Sequence, residues 1–245
     1  MMDWAVVIDQ TGRSGAVNMA IDRMLLEEAG RTRSAFLRLY RWDPPCLSFG
    51  RNEPALTRYD RAEIERRGID VVRRPTGGRA VWHDQEVTYA VAAPIAAFAT
   101  LADGYRVIHE RIACALRTLG VAATVAPAAR PAHIGAGACF ASAVGGEVIG
   151  GGRKVVGSAQ IKEGDAFLQH GSILLDGSQD LVRSVTRGRA APAGEVTLRT
   201  LVGRAVSFIE VADAMVAAWD PPPSPALPVS MAPGRFADAD WTWRR

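Results

Sequence analysis

Lysine is nearly missing from this chain. Of 29 basic side chains only two are lysines, Lys154 and Lys162, and arginine carries the rest of the positive charge. No lysine/arginine tract interleaved with aromatics occurs, which argues against a nucleic-acid protein. The formal charge of +3 suits an acidic protein partner or an anionic ligand better. Cysteine is equally sparse. Three widely spaced residues, Cys46, Cys114 and Cys139, form neither a disulfide framework nor a Cys-x-x-Cys zinc pair. No apolar run approaches the roughly 20 residues that span a bilayer. The N-terminus lacks a basic stretch followed by an apolar core, so no signal peptide is read and a cytoplasmic location is expected. Internal repeats are absent, as are the Gly-x-x-x-x-Gly-Lys and dinucleotide-binding fingerprints.

What is present is an ordinary globular composition, 48% hydrophobic and 22% charged, in 245 residues. Apolar alternation and β-forming runs predict strands over 4–9, 35–40, 47–49, 69–72, 87–92, 147–149, 155–160 and 167–175. Helical spacing predicts helices over 15–29 (capped by Ser14), 60–68 (capped by Asp60), 101–119 and 206–219. Short strands outnumber helices, and many connections are too short for parallel crossovers. The fold class is therefore α+β, with a mixed, largely antiparallel sheet flanked by helices. Residues 1–220 are expected to form one catalytic domain. Residues 221–245 begin with Pro-Pro-Pro-Ser-Pro and read as a proline-rich tail, with no accessory domain, packed through Trp241 and Trp243 or loosely held. Cys114 falls in the apolar pattern of the long helix and is expected in the core, as is Cys46. Cys139 sits among small residues, a poor core environment. Residues 123–131 are alanine-rich and carry no signal.

Three motifs carry chemistry. Residues 150–160, Gly-Gly-Gly-Arg-Lys-Val-Val-Gly-Ser-Ala-Gln, keep a lysine where every neighbour choice is arginine. An ammonium is a compact point charge that donates in any direction and shifts its pKa readily, which a guanidinium does not. A solvated lysine on a glycine-rich hairpin reads equally well. Residues 73–84, Arg-Arg-Pro-Thr-Gly-Gly-Arg-Ala-Val-Trp-His-Asp, place adjacent glycines between arginines. Such a turn exposes backbone N–H groups to an anionic or carbonyl ligand, or is a surface hairpin. Residues 169–175, Gln-His-Gly-Ser-Ile-Leu-Leu, bring a polar cluster into an apolar strand. His170 and His83 are site candidates or satisfied core histidines; His109 and His133 receive no role.

In this order the three motifs resemble the biotin/lipoate A/B protein ligase and transferase family, closest to its LipM-type octanoyltransferases. The resemblance covers roughly residues 4–185. It implies the class II aminoacyl-tRNA synthetase/biotin-lipoate ligase-like fold. It further implies that Arg74, Thr76, Gly77, Gly78, Arg79, Ala80, Val81, Trp82 and His83 bind substrate. From the later motifs it adds Gly157, Ser158 and Ala159, then His170, Gly171 and Ser172.

The family holds two chemistries. Ligases activate lipoate with ATP and Mg²⁺. Octanoyltransferases draw octanoate from acyl carrier protein through a cysteine thioester. In the transferases a Gly-x-Cys-Phe segment stands fifteen residues before the motif lysine. Here Gly137-Ala138-Cys139-Phe140 stands fifteen before Lys154. The resemblance thus implies a Cys139 nucleophile with Lys154 favouring its thiolate, which is the reactive form. Two departures stand out: Arg79 replaces the third glycine common in ligases, and Ala141-Ser142-Ala143 follows the cysteine where an acidic residue and proline are more usual. The implied reaction moves an octanoyl or lipoyl group from acyl carrier protein to a lysine of a lipoyl domain or glycine-cleavage H protein. No cofactor or metal is implied for it, nor a nucleic acid or membrane. The alternatives are an ATP-dependent lipoate ligase, an amidotransferase between carrier proteins, and a non-catalytic acyl- or carrier-binding protein.

Overall fold

The computed structural model describes residues 3–127, 146–188, 194–226 and 231–244. Strand β1 (Trp4–Arg13) leads into helix α1 (Gly15–Thr32), which crosses over to β2 (Ala35–Trp42). Such a crossover permits parallel pairing, and β1 and β2 pair parallel. Ser14 precedes α1 but its side chain makes no cap bond; Asp70 Oδ2 instead accepts from the Gly15 N–H at 2.9 Å. Then follow β3 (Cys46–Phe49), α2 (Ala55–Arg58), α3 (Arg61–Arg66), β4 (Asp70–Arg73), β5 (Val81–His83) and β6 (Glu86–Pro94). Asp60 caps α3 as its sequence position predicts, accepting from Glu63 N–H. Beyond them lie α4 (Leu101–Thr118), β7 (Ala123–Val125), β8 (Val148–Gly150), β9 (Arg153–Lys154), β10 (Val156–Glu163) and β11 (Ala166–Leu174). The C-terminal part supplies α5 (Asp180–Ser184), α6 (Leu198–Val202), α7 (Phe208–Ala217), β12 (Ser224–Pro225) and α8 (Ala239–Trp243).

The central sheet has the order β10-β11-β6-β2-β1-β12. Its β10–β11, β11–β6 and β6–β2 pairs are antiparallel, and its β2–β1 and β1–β12 pairs parallel. The sheet is mixed and largely antiparallel, as the short connections require. A two-residue turn at Gly164 (φ +54°) closes the β10–β11 hairpin, a conformation glycine adopts without strain. Two small sheets flank it, β4-β3-β5 and β7-β8-β9. Strands β5 and β7 were not expected from the sequence. The first has three residues, and the second lies in the alanine-rich stretch that gives no periodic signal.

Strand alternation gives the central sheet two faces. Leu37, Leu39, Val87, Tyr89, Val91 and Phe167 join the large apolar core under α4 and α7. Tyr40, Trp42, Ala90, Ala92 and Leu168 join a smaller one under α1. Cys46 is buried in that second core, as expected. Cys114 corrects its expectation and is exposed. At 100° per residue it points away from the arc set by Ile108, Ile112, Ala115 and Leu116, which are fully buried.

The tail packs. Trp243 is buried against Phe49, ring centroids 5.2 Å apart. Arg73, fully buried, donates to the carbonyls of Gly50, Arg51 and Glu53 on one side. On the other it donates to those of Trp241, Thr242 and Arg244. It thereby ties α8 to the turn after β3.

Candidate active site

The motif strands meet on the α1 face of the sheet. Gly157 pairs with Ser172 and Ala159 with His170 across β10–β11, and alternation turns all four toward α1. Tyr40, Trp42 and Thr88 continue the wall inward, Met19 covers it from α1, and Arg74, Val81 and His83 close it from the small sheet. The pocket is narrow, about 20 Å³, room for one water. Met19 is unbranched and adaptable, so the covering wall can reshape.

Two buried histidines line this pocket, each anchored by a buried carboxylate. His83 Nδ1 donates to Glu86 Oε1 at 2.8 Å, and its Nε2 lies 2.6 Å from Ser48 Oγ. Arg74 donates to that hydroxyl at 2.5 Å, so the Ser48 proton points to His83. Ser172 donates to Glu86 Oε1 at 3.0 Å, and Thr88 donates to the same oxygen while accepting from Trp42 Nε1 at 2.7 Å. Trp42 stacks on His83, centroids 4.0 Å apart. On the other side His170 Nδ1 lies 3.0 Å from Asp22 Oδ2, and Thr76 Oγ1 lies 2.6 Å from His170 Nε2. Burial lowers the His170 pKa against the pull of Asp22, so the ring is neutral. Burial alone would raise the Asp22 carboxyl; the bonds from His170 and Arg38 outweigh it and hold the carboxyl below its usual range.

The turn after β4 sits at the rim. Arg74 donates to the carbonyls of Gly77 and Arg79. Gly78 has φ +92°, and a Cβ on Gly50 would lie 1.9 Å from its carbonyl oxygen, so that approach requires glycine. Ala80 is buried in the small-sheet core. Trp82, between inward-facing Val81 and His83, packs against that core, away from the pocket, and its backbone pairs with the Gln179 amide.

Ser158 contributes backbone to the pocket but turns its hydroxyl to the opposite face. There it bonds Tyr89 at 2.6 Å and His109 at 2.8 Å. His109 Nδ1 donates to Gly146 O at 2.6 Å, which makes Nε2 the acceptor. Burial first, with Lys154 adding to it, depresses His109 to a pKa of about 4. Lys154 does not line the pocket. It is buried, not solvated at a hairpin tip, and its ammonium donates to Glu147 Oε1 at 2.5 Å. Cys139 lies outside the described residues, as does His133. Among the described residues no group of three or more His, Cys, Asp or Glu is placed to hold a metal.

Asp22, Glu86, Glu147 and His109 were missed by sequence reasoning. Asp22 carried a signal, a carboxylate on the apolar face of α1 beside Ile21 and Leu25. Glu86 stands three residues after His83, and Glu147 faces Lys154 across a hairpin; neither spacing is distinctive without the fold.

Comparison with known proteins identifies the family and the fold. Residues 14–220 match the model of the lipoyl protein ligase A/B catalytic domain. The chain is 41% identical over 172 residues to octanoyltransferase LipM of Carboxydothermus hydrogenoformans, covering 69% of this chain and 64% of that protein. It is 39% identical over 232 residues to octanoyltransferase LipM of Kyrpidia tusciae, covering 89% of this chain and 82% of that protein. A solved bi-partite lipoate protein ligase from Thermoplasma acidophilum, described with its E2 lipoyl domain, superposes with a TM-score of 0.72. That superposition covers 99% of this chain and 96% of the other, at 19% identity, and so speaks to the fold. The fold is the class II synthetase/biotin-lipoate ligase-like one that the motifs imply, and the chain belongs to the lipoyl protein ligase A/B catalytic domain family.

Proposed function

We propose that this chain is a protein octanoyltransferase, moving an octanoyl group from acyl carrier protein to a lysine of a lipoyl-domain protein through a thioester on Cys139. The observation that carries the reading is the 39% identity to an octanoyltransferase LipM over most of both chains. The narrow pocket built from Gly157, Ala159, His170 and Ser172 supports it, because an acyl chain laid across the α1 face would meet walls without a carboxylate and with Arg74 as the one arginine. In the first half-reaction the Cys139 thiolate attacks the acyl carbonyl. The new C–S bond replaces the bond to the carrier's sulfur, which leaves as a thiolate and takes up from solvent the proton that Cys139 released on ionising. In the second, the acceptor amine attacks, an amide C–N bond forms, and the amine proton passes to the departing Cys139 sulfur. The acyl group arrives activated as a thioester, so no ATP is consumed and no Mg²⁺ is needed to bind it. Lys154 supplies a fixed positive charge that favours the thiolate. Its pairing with Glu147 holds that charge in place inside the protein.

The test is modification of an apo lipoyl domain, run once with octanoyl-acyl carrier protein and once with free octanoate, ATP and Mg²⁺. Activity in the first mixture only, lost in Cys139→Ser, is the expected result. A serine hydroxyl is a weak nucleophile at its ordinary pKa. Activity in the second mixture that survives Cys139→Ser would make the chain a ligase and Cys139 a structural residue. Mass spectrometry of the protein with octanoyl-acyl carrier protein alone should show a hydroxylamine-labile octanoyl adduct.

A further inference from the structure

Asp22 belongs to none of the sequence motifs and does not line the pocket, yet three donors from two strands converge on it. It is fully buried on α1. Arg38 from β2 donates to Oδ1 at 2.8 Å, Tyr40 donates to Oδ2 at 2.9 Å, and His170 from β11 reaches Oδ2 at 3.0 Å. A carboxylate only accepts, so the His170 proton sits on Nδ1 and Nε2 is left as an acceptor. The Thr76 hydroxyl, 2.6 Å away, therefore donates its proton to Nε2. Every direction in this relay is fixed by the charge at Asp22.

Thr76 is the inner end of the turn that rims the pocket. Its own carbonyl accepts from the Arg51 N–H at 2.7 Å. The next carbonyls along the turn, at Gly77 and Arg79, are drawn inward by Arg74. The side chain of Thr76 is the link from this turn to the buried charge beneath the sheet. We infer that Asp22 is a positioning residue of the site: by holding His170 in the Nδ1–H form it fixes the Thr76 hydroxyl and, through it, the turn over residues 76–79. The kinetic part of this inference rests on the acyl-transfer reading; the structural part does not.

Three variants test it. Thr76→Val removes the hydroxyl without disturbing the buried charge, Thr76→Ser keeps it, and Asp22→Asn removes the anchor. Losing one buried hydrogen bond of about 1.4 kcal/mol corresponds to about tenfold. Thr76→Val should therefore raise the KM for octanoyl-acyl carrier protein about tenfold while leaving the KM for the apo lipoyl domain unchanged, and Thr76→Ser should restore it. Asp22→Asn should do the same, and the double variant should lose no more than the worse single one, because both break one relay. Long-range ¹⁵N–¹H NMR on histidine-labelled protein should show His170 as Nδ1–H in the wild type and in Thr76→Val, and no longer so in Asp22→Asn. An Nε2–H wild-type ring, additive losses, or an unchanged KM in folded Thr76→Val would overturn the inference. If the wild type transfers no acyl group, the reaction assignment falls, and the NMR result with the amide shifts of residues 76–79 still decides the relay. Shifts that move in Asp22→Asn support it, and shifts that do not move refute it.

Discussion

The two faces of the central sheet are built from the same strands and differ in what they bury. Under α4 and α7 the contacts are mostly apolar, from Leu37 and Leu39 through Ile112 and Leu116 to Phe208 and Val211, with one hydrogen-bonded cluster of Tyr89, Ser158, His109 and Gln169 set among them. Under α1 the same strands present Arg38, Tyr40, Trp42, Thr88, His170 and Ser172, joined to Asp22 and Glu86 in continuous hydrogen-bond networks. Burying charge and amide groups is costly unless every group finds a partner, whereas apolar burial stabilises in proportion to area. The difference teaches that one face supplies most of the stability and the other spends part of it on a preorganised pocket. Substitutions among the apolar contacts under α4 should then change stability and leave the kinetics of the folded fraction alone. Substitutions under α1 should change KM.

The largest expected effect lies at the buried Lys154–Glu147 ion pair, beside the α4 face and outside its apolar contacts. Lys154→Ala leaves the buried Glu147 carboxylate without its ammonium partner, a change that costs about 3–5 kcal/mol where both groups are buried. Urea unfolding should show that loss, and acyl transfer should fall as well. A stable Lys154→Ala protein would mean that the pair is not the anchor described. Next is Ile112→Ala, fully buried on α4, which should lose roughly 2–5 kcal/mol with KM unchanged. A shifted KM there would break the division between the faces. His109 gives a pH signature. Its folded pKa of about 4 lies below the ordinary 6.5, so the unfolded chain binds a proton first. Its contribution is intact above pH 6.5 and is lost as pH falls toward 4, on the order of 3 kcal/mol in all. His109→Gln should flatten that part of the stability–pH profile; an unchanged slope would assign the effect elsewhere. The smallest effect belongs to the capping box of α7, where Ser207 and Glu210 satisfy each other's backbone N–H groups. Ser207→Ala should cost about 1 kcal/mol by thermal unfolding and nothing in kinetics.

Much of this was legible in the sequence where the physical signal is local. The β-forming runs at 87–92 and 167–175 and the long helix from Leu101 announced themselves by periodicity, and β6, β11 and α4 stand where expected. The glycines at 77–78 read locally as a ligand-facing turn or a surface hairpin, and His170 as a site residue or a core histidine; the family resemblance, not the local pattern, favoured the site. The partners were not legible. Asp22 and His170 are 148 residues apart and His83 anchors on a glutamate whose spacing is unremarkable. Ser158 shows the same limit from the other side. Its motif is local, but only strand register reveals that its hydroxyl faces α4. Cys114 was misread because it was judged by its apolar neighbours in sequence, whereas at 100° per residue it lies far round the helix from the buried arc.

The Arg73 cage has a consequence for how the molecule comes into being. Half of the carbonyls that surround this guanidinium lie 168 to 171 positions further along the chain. During synthesis, β3, β4 and the glycine turn leave the ribosome long before α8 exists. Until then a cation destined for burial stands beside the nascent site with only its near-side carbonyls to meet. Closing so long a loop is slow relative to local pairing. The pocket should therefore be among the last parts of the protein to mature, and newly made chains should pass through a stage with a formed central sheet and an unfinished rim.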